Sequence, residues 1–274
     1  RHIPTMAGII FVVAVTVVTI ILNLERSETW LPLAAFTGAG LIGLVDDISN
    51  IRGSGKGVAG LPSKLKLLLT TIVAAIGGWF FFYKLDVSSI HMPFMGEWQL
   101  GWLIIPIFIF VVVATANAVN ITDGLDGLAG GLTSIAFGIY ALIAFLEGRY
   151  GIAGFCMTVV GGLLAYTWFN VFPARFFMGD IGSFALGTAL GVIAMLTNTV
   201  TLLPIIGILF VAETGSVIIQ VLSKKLRNGK KIFRVSPLHH HFEAIGWPET
   251  KVTMRFWILG QVAGVIGLII FVVG

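Results

Sequence analysis

The carboxylates of this sequence are few and unusually placed. Of six aspartates, five fall in three short stretches beside glycine or asparagine rather than in hydrophilic loops. These are Gly43-Leu44-Val45-Asp46-Asp47, the run from Asn117 through Asn120, Asp123 and Asp126 to Gly127, and Phe176-Phe177-Met178-Gly179-Asp180-Ile181-Gly182-Ser183. Adjacent carboxylates repel unless a cation or a lysine offsets their charge. Hard oxygen donors of this kind suit Mg²⁺, commonly held by one or two carboxylates together with substrate phosphates. Gly179 and Gly182 flank Asp180 at an expected helix start, where free N–H groups can face an anion. Together the stretches point to a divalent metal and phosphate. Taken singly, Asp123 or Asp180 could be an ordinary N-cap, and Asp46 and Asp47 a solvated helix end.

Two further features carry chemistry. Pro237-Leu238-His239-His240-His241-Phe242-Glu243 sets three histidines in a basic segment. A zinc site is disfavoured, because adjacent helical residues point about 100° apart and no cysteine cluster accompanies them. Phosphate contact, proton handling and structural hydrogen bonding remain open for the three. Glu213 is the one charged residue near the middle of an apolar run, where an ionisable group suggests function by default. A structural hydrogen bond to a neighbouring helix explains it almost as well. Cys156, the single cysteine, lies in an apolar run and reads as a small core residue.

The elements that position these residues follow from composition. Hydrophobic residues make up 57% of the 274, charged residues only 11%, and mean hydropathy is +0.99. Ordinary soluble domains carry about 25% charged residues, so this chain cannot cover itself with a hydrated surface. The fold expected is an all-α polytopic membrane protein, one domain over residues 1–274. Crossing a bilayer takes roughly 20 mostly apolar residues. Runs near 7–24, 31–45, 65–83, 103–119, 128–146, 152–171, 183–197, 203–222 and 256–273 give nine expected transmembrane helices. The second and seventh are short, which favours tilt or partial burial.

Loop charges orient the bundle. Alternating the loops from Arg1 puts fourteen of the seventeen lysines and arginines on one side, leaving Arg26, Lys84 and Arg149 on the other. The first side is therefore cytoplasmic, and it also holds Asp46, Asp47, Asp123, Asp126, Asp180 and the histidines. A transporter would keep its ionisable groups near the midplane; only Glu213 fits that pattern.

These residues together resemble one family, the phospho-N-acetylmuramoyl-pentapeptide transferases of the polyprenyl-phosphate N-acetylhexosamine-1-phosphate transferase superfamily. The resemblance runs through Pro4-Thr5-Met6-Ala7-Gly8, Leu44-Val45-Asp46-Asp47, the Asn117–Ala129 stretch, Phe169-Asn170 with Pro173-Ala174, Phe177 to Ser183, and the histidine string. The aspartate motifs are shared across the superfamily. The histidine string is particular to the muramoyl-pentapeptide branch and disfavours a sister enzyme that uses UDP-GlcNAc. The resemblance implies ten transmembrane helices, so one further span is expected before Arg1. It implies transfer of phospho-MurNAc-pentapeptide from UDP-MurNAc-pentapeptide to undecaprenyl phosphate, giving lipid I and UMP, with Mg²⁺, in the bacterial inner membrane. A homodimer is implied, and no nucleic-acid partner.

By the same resemblance Asp180 is the metal ligand, and Asp46, with Asp47 beside it, deprotonates or positions the lipid phosphate. Asn120, Asp123, Asp126, Asn170 and Phe177 bind substrate, Phe177 by stacking on uracil. Lys66 lies near the phosphates. His239 and His240 join the catalytic set, and His241 the substrate-binding set. Three departures stand out. Ile3 and Ala7 replace a threonine and a glycine of the opening motif, whose lysine would fall before Arg1; Thr70 stands where a glutamine is common. A phosphate monoester has a second pKa near 6, so the lipid phosphate needs orientation more than a strong base. Direct attack on the β-phosphorus and a two-step route through an aspartyl nucleophile both remain open.

Overall fold

The computed structural model describes residues 3–23, 26–52 and 60–274, with the side chains of Arg26 and Ser27 left aside; Arg1 and Lys56 lie outside this set. The helices are α1 (Gly8–Leu22), α2 (Arg26–Arg52), α3 (Ser63–Tyr83), α4 (Ile104–Thr122), α5 (Leu128–Leu146), α6 (Tyr150–Asn170), α7 (Gly179–Leu196), α8 (Leu203–Ile206), α9 (Ile208–Leu226), α10 (Leu238–Ala244) and α11 (Glu249–Val273). Punctuation in the sequence sets their limits. Pro62, Pro237 and Pro248 stand immediately before α3, α10 and α11, where a fixed φ is tolerated and no interior N–H is lost. Gly207 separates α8 from α9.

Among the described residues, seven helices are long and apolar enough to cross a membrane: Glu28–Arg52, Ser63–Tyr83, Gly101–Thr122, Leu128–Leu146, Tyr150–Asn170, Gly179–Leu196 and Glu249–Val273. The other two expected spans differ. The run near 7–24 forms the 15-residue α1, and the run near 203–222 is broken at Gly207. The run near 31–45 is not short, since α2 has 27 residues and carries Asp46 and Asp47 inside its last two turns. An all-α fold is also not quite complete. Ser89–Met92 and Gly96–Gln99 pair as an antiparallel hairpin, β1 and β2, with Ser89 opposite Gln99 and Met92 opposite Gly96. Asn198 fastens this hairpin, accepting from the His91 N–H at 2.9 Å and donating to Glu97 at 3.0 Å. Arg149 pairs with Glu28 at 3.0 Å at the same end of the bundle.

Helix α7 is the centre. Every residue from Ile181 to Leu196 is buried, and α1, α2 and α4 all pack on it. Lipid tails are as apolar as leucine, so helices in a membrane gain from close backbone approach through small residues. Gly43 of α2 lies against the Asp180 backbone, and Gly8 of α1 against Met178 and Gly182, so closely that a Cβ at either would collide. Large apolar side chains such as Ile258, Val262, Ile269 and Val273 of α11 are exposed on the outside. That inversion of soluble-protein surfaces suits contact with lipid.

Gly43→Ala drives a methyl group into the Asp180 carbonyl and should separate α2 from α7. A loss of about 1–3 kcal/mol is expected, read as a lower thermal midpoint in detergent. An unchanged midpoint would contradict the close packing.

Candidate functional site

The site is built on the start of α7. Met178 stands at the N-cap without a side-chain bond, and Gly179 adopts φ +75°, a conformation open to glycine at little cost. The free N–H groups of that first turn are met from another helix. Asp47 accepts from the Asp180 N–H and the Ile181 N–H, each at 3.1 Å. A carboxylate there also complements the positive end of the helix dipole. A Cβ on residue 179 would fall 2.5 Å from Asp47 Oδ2, a second reason for glycine. Asp180 and Asp123 are thus not N-caps; Asp123 follows the end of α4.

Asp46, the next residue on α2, is fully buried. Its Oδ1 accepts from the Leu61 N–H at 2.6 Å, and its Oδ2 from Asn50 at 3.2 Å and Lys66 at 3.1 Å. Lys66 Nζ also donates to Asp180 Oδ2 at 2.9 Å, so one ammonium bridges two carboxylates. Asn120 orients the other Asp180 oxygen at 2.9 Å and donates to Ser183 Oγ at 2.9 Å. Asp46, Asp47 and Asp180 each present an oxygen within 4.8 Å of the others. Three carboxylates against one lysine leave negative charge uncompensated, and a hard cation fits that donor set.

Beside this cluster opens a polar cavity of about 710 Å³. Of the residues expected from sequence, Asn120, Asp123, Asp126, Asn170, Phe177, Asp180 and His240 line it. Asn170 contributes chiefly as a clamp, because both ends of its amide are taken. It accepts from the Gly127 N–H and donates to the Phe176 carbonyl, each at 2.9 Å. Asp126 Oδ2 accepts from the Ala174 N–H at 2.8 Å, and the Asp126 N–H donates to Glu249 at 2.6 Å. Trp257 and Thr253 bond the carbonyls of Gly127 and Asp126. This loop is pinned on several sides. The opening motif braces the other wall: Phe177 N–H donates to the Pro4 carbonyl, and its own carbonyl accepts from Ala7 N–H. Asp123 is different, making no side-chain hydrogen bond among the described residues. Desolvation, then the nearby Asp180 and Asp47 carboxylates, push its pKa up to about 7.

The three histidines have three environments. His239 is buried and bonded through Nδ1 to Glu213 Oε2 at 3.0 Å, while its backbone N–H reaches the same carboxylate at 3.1 Å. His240 lines the cavity with Nδ1 2.6 Å from Glu243 Oε2. His241 Nδ1 accepts from the Arg234 N–H at 3.1 Å, and its ring meets Phe233 edge-on at 5.6 Å between centroids. His239 and His240 thus set Nδ1 against a carboxylate oxygen, whereas His241 sets it against a backbone N–H. Asp46, Asp47, Lys66, His239 and His241 do not line the cavity.

Sequence reasoning left Glu213 undecided and missed Glu243 and Glu249, which line the cavity. Glu243 ends the histidine string and could have been read as a partner one helical turn from His240. Glu249 has no comparable signal. A second, apolar cavity of about 360 Å³ runs between α4 and α9, lined by Phe110, Ala114, Pro204, Phe210 and Ile218 among others. It reaches Ala118 and Val119 of α4, directly before Asn120 of the polar cavity.

Residues 29–198 match the family described as glycosyl transferase family 4. The chain is 40% identical to the phospho-N-acetylmuramoyl-pentapeptide-transferase of Thermodesulfovibrio yellowstonii, over 97% of this chain and 79% of that protein. Against the proteins of the same name from Geobacillus sp. (strain WCH70) and Bacillus pumilus the identity is 43%, over 97% of this chain and 83% of each relative.

Two measurements check this geometry. Asp47→Ala removes both acceptors from the start of α7 and should cost about 1–3 kcal/mol, with Asp47→Asn intermediate, in thermal unfolding. Asp123 ionises near its ordinary 3.8 when unfolded but near 7 in the fold. Its stabilising contribution is therefore full below about pH 4 and is lost as pH rises to 7. The midpoint of Asp123→Asn should gain on the parent between pH 4 and 7 and then level off; a constant difference would refute the shift.

Proposed function

The chain belongs to glycosyl transferase family 4 and, within it, to the phospho-N-acetylmuramoyl-pentapeptide transferases, and on that premise we propose how its residues divide the reaction. The enzyme transfers phospho-MurNAc-pentapeptide from UDP-MurNAc-pentapeptide to undecaprenyl phosphate, forming lipid I and UMP in peptidoglycan synthesis. One observation carries the proposal: the bridge of Asp46, Lys66 and Asp180 lies beside the polar cavity, whose Asn120 directly follows the residues lining an apolar cavity. A nucleotide sugar from water and a phosphate on a lipid chain can meet there. The end of the bundle that holds the site faces the cytoplasm, as the basic residues of that side support.

Both substrates are anionic, so bringing them together is the main obstacle. Lys66 draws the phosphates in, and its link to Asp46 and Asp180 fixes where its charge sits. Asp46 orients the lipid phosphate. Asp123, Asp126 and Phe177 hold the nucleoside, with Phe177 half-exposed on the cavity wall and free to stack. His240 stands at the phosphate side, its ring held by Glu243. Asp47 acts indirectly, holding the backbone that carries Asp180. Asp180, with Asp46 beside it, would hold Mg²⁺, and the hard-oxygen donor set supports that choice. When bound, the ion supplies positive charge to the diphosphate.

We infer a direct route. A lipid phosphate oxygen attacks the β-phosphorus, forming one P–O bond while the bond to UMP breaks and UMP keeps the electron pair. Both Asp46 oxygens already accept hydrogen bonds, from Leu61, Asn50 and Lys66, which supports an orienting role over a nucleophilic one.

The purified protein with Mg²⁺ and a polyprenyl phosphate should release UMP from UDP-MurNAc-pentapeptide and far less from UDP-GlcNAc. No release from the first would defeat the reading. Asp180→Asn should reduce turnover at least about 100-fold, in line with lost electrostatic stabilisation of a transition state, and chelation of Mg²⁺ should do the same reversibly. A trapped phosphoryl-enzyme would overturn the direct route.

A further inference from the structure

A third cavity, of about 310 Å³, opens at the first turns of α11. Phe242, Trp247, Arg255, Phe256, Ile258 and Leu259 line it, and none of them lines the polar or the apolar cavity described above. Its aromatic wall is fixed through the backbone. The Trp247 N–H donates to the Phe242 carbonyl at 3.0 Å, the two rings stack 4.7 Å apart, and Phe256 meets Phe242 edge-on at 5.8 Å. Two cations share the Trp247 ring, Lys251 Nζ and Arg255 Cζ, each 4.5 Å from its centroid. They stand one turn apart on α11, where like charges repel, and Lys251 lies in the first turn, at the positive end of the helix dipole. Both are exposed, and among the described residues neither forms an ion pair with a carboxylate.

An indole face attracts cations but carries no net charge, so the Lys251 and Arg255 pair still lacks an anion. The other wall of the cavity indicates what carries one. Ile258, Leu259 and Val262 follow Arg255 along a helix long and apolar enough to span a membrane, and all three are exposed. The cavity therefore runs from a cationic rim into the lipid-facing surface, and it matches an amphiphile with an anionic head. We propose that it binds an anionic phospholipid of the bilayer, with the phosphate between Lys251 and Arg255 and the upper part of an acyl chain against Phe256, Ile258 and Leu259. Basic pockets beside membrane helices recognise acidic head groups by this chemistry. The ligand is a membrane component and not a substrate, so the inference goes beyond the transfer reaction and does not depend on it.

The test titrates the whole protein in detergent with phosphatidylglycerol or phosphatidylcholine and reads bound lipid by native mass spectrometry. The parent should prefer phosphatidylglycerol; no preference overturns the proposal whatever the variants do. Lys251→Gln/Arg255→Gln should bind phosphatidylglycerol about 30-fold more weakly, the worth of two cations at a membrane surface, with phosphatidylcholine binding unchanged. Lys224→Gln/Lys225→Gln removes two exposed lysines outside the cavity and should keep the parental affinity. An equal loss there would mean diffuse surface attraction and would overturn the site. Phosphatidylglycerol with brominated acyl chains should quench the fluorescence of the parent, and Trp247→Phe should lose most of that quenching; undiminished quenching places the lipid elsewhere. Thermal midpoints separate lipid binding from packing. Phosphatidylglycerol should raise the midpoint of the parent and not that of Lys251→Gln/Arg255→Gln, which in phosphatidylcholine should be at least as stable as the parent because a like-charge pair is gone. Equal destabilisation in both lipids would make the cations structural partners of Trp247 alone. Displacement of phosphatidylglycerol by inorganic phosphate at equal concentration would make the ligand a free anion, and loss of a dimer instead of bound lipid would give the cavity to a second copy. Each of these three results overturns the proposal.

Discussion

The site depends on one contact between helices: the Asp47 carboxylate set on the two N–H groups that open α7. It caps a helix whose own N-cap residue cannot, and it does so from α2. Because Asp46 is the neighbouring residue, the same contact sets the distance between the Asp46 and Asp180 carboxylates, and hence the place of the Lys66 bridge. Glycines on both partners make it possible. Gly43 lets α2 reach the Asp180 backbone, and Gly179 leaves room for the carboxylate. Packing and electrostatics are here a single constraint.

Around that contact the balance of charge is uneven. Asp180, Asp123, Asp126, Glu243 and Glu249 line the cavity, while Lys66 bridges Asp46 and Asp180 beside it. Burial first, and then carboxylates crowded in this way, make Asp123 harder to ionise. Such a cavity favours a ligand that brings hydrogen-bond donors or arrives with a cation. A nucleoside and a metal-bound diphosphate satisfy both conditions, so an acidic wall and an anionic substrate are compatible.

The architecture also solves a solubility problem. One substrate partitions into lipid and the other into water, and the reacting groups must still meet. Helix α4 borders both kinds of space: Ala118 and Val119 line the apolar cavity and Asn120 the polar one. Bonds from Asn170, Glu249 and Trp257 then fix the loop that follows α4. The loops that line the polar cavity are short and irregular, held by a bundle that is regular.

Much of this was legible in the sequence because bilayer physics is coarse. Apolar run length marks most of the spans, and carboxylates beside glycine in an apolar chain mark the motifs. Runs of apolar residues could not reveal that α8 and α9 are separate, since the break at Gly207 depends on local backbone conformation. Nor did they reveal the β1–β2 hairpin, whose four-residue strands are fastened by Asn198 and Thr201 from a distant loop. Residue type alone determined that Asp46, Asp47, Asp123, Asp126, Asp180 and the histidines were the groups to watch. Only the tertiary structure decided their division of labour: Asp47 as a cap, Asn170 as a clamp, Glu213 as the partner of His239. The reason is that identical side chains differ only in which backbone N–H, cation or empty space folding brings within hydrogen-bond reach, and those partners lie as far as 134 residues away in the chain.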